Sequence, residues 1–172
     1  LRTALSLSAA TGQGFRIERI RANRLRPGLR PQHLAAVRAA AMSCGAEVHG
    51  AFDGSPDLRF QPGAPAAGEF HFDIGTAGAT TLVLQTIVPV LAAAQAVSRI
   101  EVVGGTHVPH SPGFHYLARH WAAVVERLGL RAAFALGGDG RLCGAQRGLG
   151  LAQSGLGGGE LVGGGGALAL GV

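Results

Sequence analysis

The chain has 172 residues, of which 47% are hydrophobic, and it carries a formal net charge of +5 at pH 7. All of its basic charge comes from 15 Arg residues, and a pI near 10.9 favours anionic partners such as nucleic acid or nucleotides. No stretch reaches the roughly 18 uninterrupted apolar residues of a membrane-spanning helix, and the apolar content is enough for one or two domains with a buried core.

The cysteines and the first residues carry no metal or export signal. Cys44 and Cys143 lack the C-x-x-C spacing of zinc sites, and they do not form the pattern of a disulfide framework. Residues 1–10 do not fit a secretory leader because Ser6 and Ser8 interrupt the apolar run. We interpret a chain that starts at Leu1 as an internal piece of a longer, cytoplasmic protein.

The first half of the sequence predicts an alternation of helices and strands. Residues 2–10 are expected to be helical, and residues 15–22 alternate as in a strand. After a Pro-Gly loop, a helix is expected to begin at Pro31 and to end at Gly45. Two short strands are expected to follow, at residues 46–50 and 58–60.

The second half repeats this alternation. We expect strands at 69–74, 99–103 and 130–136, with a long apolar helix at 80–94. Another helix is expected after Ser111, which can cap it with Pro112 at the first helical position, and this helix should end at Gly129. Residues 138–172 are rich in Gly and lack a helical or strand period, so we expect this tail to be poorly ordered.

The two halves can be aligned at an offset of 83 residues. The segment RIERIRA (16–22) then falls on RIEVVGG (99–105), and the helix from Pro31 falls on the helix from Phe114. Each half reads helix–strand–loop–helix–strand, which predicts an internal duplication and a two-layer α+β sandwich. The alternative is generic α/β alternation, which aligns with itself at some offset by chance.

A run of arginines precedes the helix that begins at Pro31. Backbone amides of a first helical turn, the helix dipole and guanidinium groups together make an anion site, so this region is a candidate for binding phosphate. The alternative is a solvated basic face. The arginines of the run are Arg16, Arg19, Arg21, Arg24, Arg26 and Arg30.

Polar side chains outside this run include one amide and several histidines. Gln85 lies in the apolar helix four residues before Pro89, where we expect it to be buried, and its amide could bind a ligand or only mend the gap left by the proline. His33, beside the arginines, is expected to be neutral and to bind or orient a ligand, or to cap the helix. The remaining cluster is interpreted as structural or solvated rather than as a metal site: His107, His110, His115 and His120.

Four blocks together resemble the RNA 3′-terminal phosphate cyclases: LRTALSLS, IRANRLRPGLRPQHL, IGTAGATTLVLQT and RIEVVGGTHVPHSP. The resemblance covers residues 1 to about 137 and implies tandem repeated βαβαββ-type units, as in the related enolpyruvyl transferases. Residues 1–137 would then be a partial catalytic domain with two units, at about 1–62 and 68–137, followed by a divergent tail.

The resemblance also implies a chemistry. The family uses ATP, with Mg²⁺ or another divalent metal, to adenylylate a histidine, and it passes AMP to an RNA 3′-phosphate that then closes to a 2′,3′-cyclic phosphate. That histidine is expected beyond this chain, which therefore holds no catalytic residue and is expected to be inactive alone. Contacts to the RNA phosphate are implied for Arg2, Arg21, Arg24, Gln32 and His33, and a contact to ATP is implied for Gln85.

Two alternatives to a cyclase stay open. One is a non-catalytic, cyclase-like RNA-processing factor, which would keep the fold and the basic surface without adenylylation. The other is an enzyme of the enolpyruvyl-transferase type, against which the segment PGLRPQHL argues.

Overall fold

A computed structural model describes residues 1–75, 78–94, 96–137 and 141–147. The elements of the first half are α1 (Arg2–Thr11), β1 (Phe15–Ile17), α2 (Pro31–Cys44), β2 (Glu47–His49) and β3 (Leu58–Gln61). Its strands form a three-stranded antiparallel sheet of order β1-β3-β2, in which Phe60 of the central strand stands opposite both Phe15 and Val48.

The elements of the second half are β4 (Glu69–Asp73), α3 (Thr80–Ala92), β5 (Ser98–Val103), α4 (Phe114–Tyr116), α5 (Ala122–Arg127), β6 (Arg131–Leu136) and β7 (Arg141–Arg147). Its strands form a four-stranded sheet of order β4-β5-β7-β6, in which β4 and β5 are parallel and the other pairs are antiparallel. A π-helical turn, Leu117–Trp121, joins α4 and α5 into one continuous helical segment. The predicted α+β class is confirmed.

Two hydrophobic clusters fill the interior, and the helices α2 and α3 connect them. The cluster of the first half includes Leu58 and Phe60 together with Val90 of α3, whereas the cluster of the second half is built around α3 and includes Ala39 of α2. A buried hydrogen bond of 2.7 Å from the hydroxyl of Ser6 to the carbonyl of Thr86 also joins α1 to α3. The two halves are therefore packed on each other through their helices.

Local sequence signals set the ends of α2 as predicted. Pro31 occupies its first turn, where a missing N–H costs nothing because that group has no partner inside the helix. Gly45 ends the helix in the left-handed conformation, with φ of 59°, which costs a residue without Cβ little.

Two sequence expectations about loops were wrong. The strand predicted for residues 15–22 ends at Ile17, because Arg19 and Arg21 adopt φ of 55° and 54° and turn the chain. Ser111 does not cap a helix, since its hydroxyl donates to the carbonyl of Val108 and the helix begins after Gly113.

The tail expectation was wrong for residues 141–147. They form β7, which lies inside the second sheet between β5 and β6. The rest of the predicted tail, residues 138–140 and 148–172, lies outside the described residues. In the part of the chain that is described, no helix combines the length and apolar character needed to cross a bilayer.

Candidate functional site

A cleft of about 470 Å³ lies where the start of α1, the chain after β1 and the start of α2 meet. It brings together Arg2, Arg21 and His33, three of the residues that the sequence singled out. We call it the basic cleft; its lining comprises Leu1, Arg2, Thr3, Ile17, Glu18, Arg19, Ile20, Arg21 and His33.

Part of the cleft wall is formed by Arg19, Ile20 and Arg21, the first residues of the segment 19–30, here called the basic loop. Backbone hydrogen bonds close it on itself, from Gly28 N–H to the Ile20 carbonyl at 2.8 Å, and tie it to residues 50–57, from Ile20 N–H to the Pro56 carbonyl at 2.8 Å. Gly28 has φ of 79°, and a Cβ at this position would collide with the carbonyl oxygen of Gly54. The loop therefore keeps its shape through long-range bonds and a close approach that only glycine allows.

Arg21 is held in place within this loop. Its Nη1 donates to the carbonyl of Gly28 at 3.2 Å, and the side chain is half-buried. One guanidinium carries five N–H donors in a planar fork, so the others can serve an anion in the cleft. Anchoring part of the fork lowers the entropy cost of using the rest.

His33 presents a defined face to the cleft. The backbone N–H of Arg30 donates to its Nδ1 at 3.0 Å, so the neutral ring carries its proton on Nε2. Burial, and then the nearby charges of Arg21 and Arg2, lower the pKa of the His33 imidazole below its ordinary value. Near neutral pH the ring thus offers a hydrogen-bond donor and has no free nitrogen lone pair for nucleophilic attack.

Charge in the cleft is positive. Arg2 is half-buried, and burial lowers the pKa of its guanidinium, although arginine stays protonated in proteins. The one acidic lining residue, Glu18, forms an ion pair with Arg16, whose Nε lies 2.9 Å from Oε1 of Glu18. Three arginines and a neutral imidazole donor face this single carboxylate, an arrangement suited to a phosphate group.

The other predicted site residues lie elsewhere. Arg24 and Gln32 are exposed and are not part of the cleft lining. Gln85, predicted to be buried, is only partly buried on α3, because α3 is not covered on every side by its neighbours. Pro89 lies inside the same helix, as the sequence indicated.

Sequence reasoning missed the part that Leu1, Thr3 and Glu18 play in lining the cleft. No local pattern could have indicated them, because only the packing of α1 beside the chain after β1 brings them there. Within the described residues, no three His, Cys, Asp or Glu side chains gather in a way that could hold a metal ion.

The fold and the cleft define an α+β protein with an arginine-lined cleft. The family model described as RNA 3′-terminal phosphate cyclase matches residues 1–147. The chain belongs to this family.

Relatives named RNA 3′-terminal phosphate cyclase are similar over most of the chain. The protein from Ectopseudomonas mendocina (strain ymp) is 48% identical over 149 residues, which cover 83% of this chain and 44% of the relative. The protein from Ralstonia nicotianae is 52% identical over 136 residues, 79% of this chain and 39% of the relative. The protein from Salmonella enteritidis is 51% identical over 130 residues, 76% of this chain and 38% of the relative. The chain thus spans about two fifths of the length of these relatives.

Proposed function

We propose that this chain supplies the phosphate-binding part of an RNA 3′-terminal phosphate cyclase. The observation that carries the proposal is the basic cleft, which Arg2, Arg21 and His33 line together. Family membership over residues 1–147 supports the same reaction.

In the proposed reaction, a histidine outside this chain attacks the α-phosphorus of ATP and releases pyrophosphate. An oxygen of the RNA 3′-phosphate then attacks the phosphorus of the histidine–AMP, giving an RNA–adenylate and freeing the histidine. The 2′-hydroxyl attacks the activated 3′-phosphorus, loses its proton, and expels AMP to leave a 2′,3′-cyclic phosphate. Each step shifts charge among phosphoryl oxygens, which fixed cationic donors stabilise.

The residues of the basic cleft would bind the RNA 3′-phosphate. Arg21, anchored through Gly28, and Arg2 would contact its oxygens, while His33 would donate from Nε2 and orient the group. Arg24 and Gln32, which are exposed, would contact the RNA farther from the cleft. Gln85 would contribute an amide to ATP.

The described part of this chain contains no cluster of three His, Cys, Asp or Glu side chains that could hold a divalent metal such as Mg²⁺. Its preferred ligands are carboxylate and other oxygen groups, and the cleft offers mainly N–H donors. We therefore assign no step of the reaction to a metal held by these residues.

We further propose that the two halves are repeated units in a two-layer arrangement. In each half, the last of three strands lies between the other two: β3 lies between β1 and β2, and β7 lies between β5 and β6. Both neighbouring pairs in each set of three are antiparallel. Each set follows helix, strand, helix, strand, strand along the chain. Because β7 completes the second set, the second unit would run from about residue 68 to 147 rather than to 137.

The proposal is tested by comparing short RNAs that end in a 3′-phosphate or a 3′-hydroxyl. The native chain should bind the phosphorylated RNA more tightly, and Arg21→Ala should weaken that binding by about 1.5–3 kcal/mol per lost charge-assisted contact. Binding of the hydroxyl-ended RNA should change little. Arg24→Ala should affect both RNAs alike, since Arg24 lies outside the cleft.

Thermal unfolding of the same variants provides the control. Arg21→Ala should lower the free energy of unfolding by about 0.5–1.5 kcal/mol, because the bond to Gly28 is lost, and Arg24→Ala by no more than about 0.5 kcal/mol. The exposed Arg38, on α2 and outside the cleft, provides a matched charge control as Arg38→Ala. An Arg21→Ala chain that remains folded and binds both RNAs as the native chain does would exclude the phosphate site.

A further inference from the structure

A second, wider groove of about 770 Å³ lies on the exposed face of the β1-β3-β2 sheet. Arg59 on the central strand stands opposite Arg16 on one side and His49 on the other. Directly opposed residues in antiparallel strands project from the same face, so two arginines and a histidine form a row across the sheet. His49 contacts the Glu47 carboxylate, with Nε2 and Oε1 2.9 Å apart, so the positive charge of the row comes from its arginines. We call this feature the sheet groove, defined by Arg16, Arg59, His49 and Phe52.

The arginines of the row are available to a ligand. Arg16 contacts Glu18, but both side chains are largely exposed, and exposed ion pairs of this kind hold their partners weakly. Arg59 is exposed and makes no ion pair with another residue of the described ranges. The groove also includes Asp57, so its positive charge is moderate and binding must involve more than charge.

Phe52 supplies the second kind of contact. Its side chain is 61% exposed, which is unusual for a large aromatic residue in a folded protein. Backbone bonds on either side hold its position, from Phe52 N–H to the Gly50 carbonyl at 3.0 Å and from Ser55 N–H to the Phe52 carbonyl at 3.1 Å. A fixed aromatic face beside arginines is the arrangement on which unpaired bases stack.

The sheet groove adjoins the basic cleft through two connections. Strand β1 carries Arg16 in the groove, and the next residues, Ile17 and Glu18, line the cleft. Residues 50–57, which include Phe52, are bonded to the basic loop through its backbone and through an ion pair of 3.2 Å between Arg30 and Asp53. Arg16 and Ile17 project from opposite faces of β1, so a strand whose end occupies the cleft would cross the exposed edge of β1 to reach the groove.

We propose that the sheet groove binds the single-stranded nucleotides that precede the terminal phosphate of the RNA. Bases stack on Phe52, and backbone phosphates contact Arg16 and Arg59. This inference rests on the proposed function, because it takes the cleft as the site of the RNA end. It favours RNA over an acidic protein, since the exposed aromatic face offers stacking to bases and little to carboxylates.

The test measures binding of 3′-phosphorylated RNAs of two and eight nucleotides to the full 172-residue chain. The octamer should bind more tightly than the dinucleotide, and Phe52→Ala should reduce its affinity about 5- to 150-fold, the range for loss of a base–aromatic stack. Arg59→Ala should also weaken the octamer and reduce the slope of log affinity against log salt by about 0.7, the value for one lost phosphate contact on a single strand. Dinucleotide affinity should stay unchanged in both variants.

Matched variants separate the groove from the cleft and from general effects. Phe52→Tyr should restore octamer binding, while Tyr116→Ala and Arg38→Ala, which remove an exposed aromatic and an exposed arginine outside both features, should leave it unaltered. If the dinucleotide binds and depends on Arg21 but Phe52→Ala leaves the octamer unaffected, the groove inference is wrong and the proposed function stands. If neither RNA binds the folded native chain, the proposed function fails first. Binding of a poly-glutamate peptide as tightly as the octamer would favour an acidic protein and overturn the RNA assignment.

Discussion

Arg30 and His33 hold each other through two reciprocal hydrogen bonds at the start of α2. The N–H of His33 donates to the Arg30 carbonyl at 2.8 Å, and the N–H of Arg30 donates to Nδ1 of His33 at 3.0 Å. One imidazole therefore both caps the helix and lines the cleft. The two roles that the sequence left as alternatives, capping and ligand orientation, are compatible in this geometry.

Replacing His33 should measure how much its capping role contributes to stability. His33→Ala removes the acceptor for the Arg30 N–H and should lower the free energy of unfolding by about 0.5–2 kcal/mol, the usual cost of a lost helix cap. His33→Asn can keep an acceptor near the Nδ1 position and should recover most of the stability. Chemical denaturation of the three proteins measures this; equal losses for Ala and Asn would show that the cap does not depend on the acceptor.

The pH dependence of stability should carry the signature of His33. Its pKa is lowered in the folded chain, so between the folded value and the ordinary value of about 6.5 the unfolded chain binds more protons. The contribution is fully present above about pH 6.5 and is lost as the pH falls toward the folded pKa. The free energy of unfolding, measured from pH 8 to pH 5, should show this loss in the native chain and not in His33→Asn. The other six histidines are present in both proteins, so their contributions cancel in the difference between the two curves. Parallel curves would contradict the prediction.

Gly28 and Gly54 provide a matched pair for testing the basic loop. Both have positive φ, 79° and 81°, but a Cβ on Gly28 would collide with the Gly54 backbone, whereas a Cβ on Gly54 would meet no atom within 4 Å. Gly54→Ala should therefore cost only the backbone strain of about 1–2 kcal/mol. Gly28→Ala should cost about 1–3 kcal/mol more, as in overpacked sites, and should weaken phosphate binding because the Arg21 anchor moves. Similar losses in the two variants would show that the close approach is unimportant.

Gln85 can be tested without a ligand. Its side chain is partly buried and still reaches solvent, so Gln85→Leu should change the free energy of unfolding by no more than about 1 kcal/mol. A double-mutant cycle with Pro89→Ala should show no coupling, because a ligand-binding amide has no need to compensate for the missing N–H of the proline. Coupling above about 1 kcal/mol would mean that the amide repairs the helix instead.

The chain alone should form no covalent adduct with AMP. His33 has Nδ1 occupied by the Arg30 N–H and a proton on Nε2, and the histidine expected to take AMP lies beyond this sequence. Incubation with labelled ATP and Mg²⁺, followed by a denaturing gel, should show no labelled, acid-labile band. A band that disappears in His33→Asn would identify His33 as a nucleophile after all.

Local signals in the sequence were sufficient for elements whose ends are set by their own residues. Pro31 and Gly45 bound α2 because a proline and a glycine have the same conformational limits in any context. Local signals were not sufficient where a hydrogen bond to a residue distant in sequence determines the end of an element. Arg19 and Arg21 leave the strand conformation because the Pro56 carbonyl, far along the chain, accepts the N–H of the intervening Ile20.

The same distinction applies to the candidate site. Arg2, Arg21 and His33 could be singled out from a resemblance, and the structure places them in one cleft. The lining role of Glu18 could not be predicted, since it depends on how α1 packs beside the chain after β1. Gln85 was expected to be buried because its helix is apolar, yet exposure depends on which sides α1 and α2 cover.

The central position of β7 has a consequence for how the second sheet is completed during synthesis. Its neighbours β5 and β6 are both made earlier, yet they are joined only through β7. Until residue 147 has left the ribosome, each of them exposes an unpaired edge that can recruit a strand from another molecule. A chain cut at residue 137 would retain both open edges and should aggregate, whereas a cut just after residue 147 would close them. Residues 141–147 thus complete the second sheet by pairing with both β5 and β6, and expression boundaries should be placed beyond them.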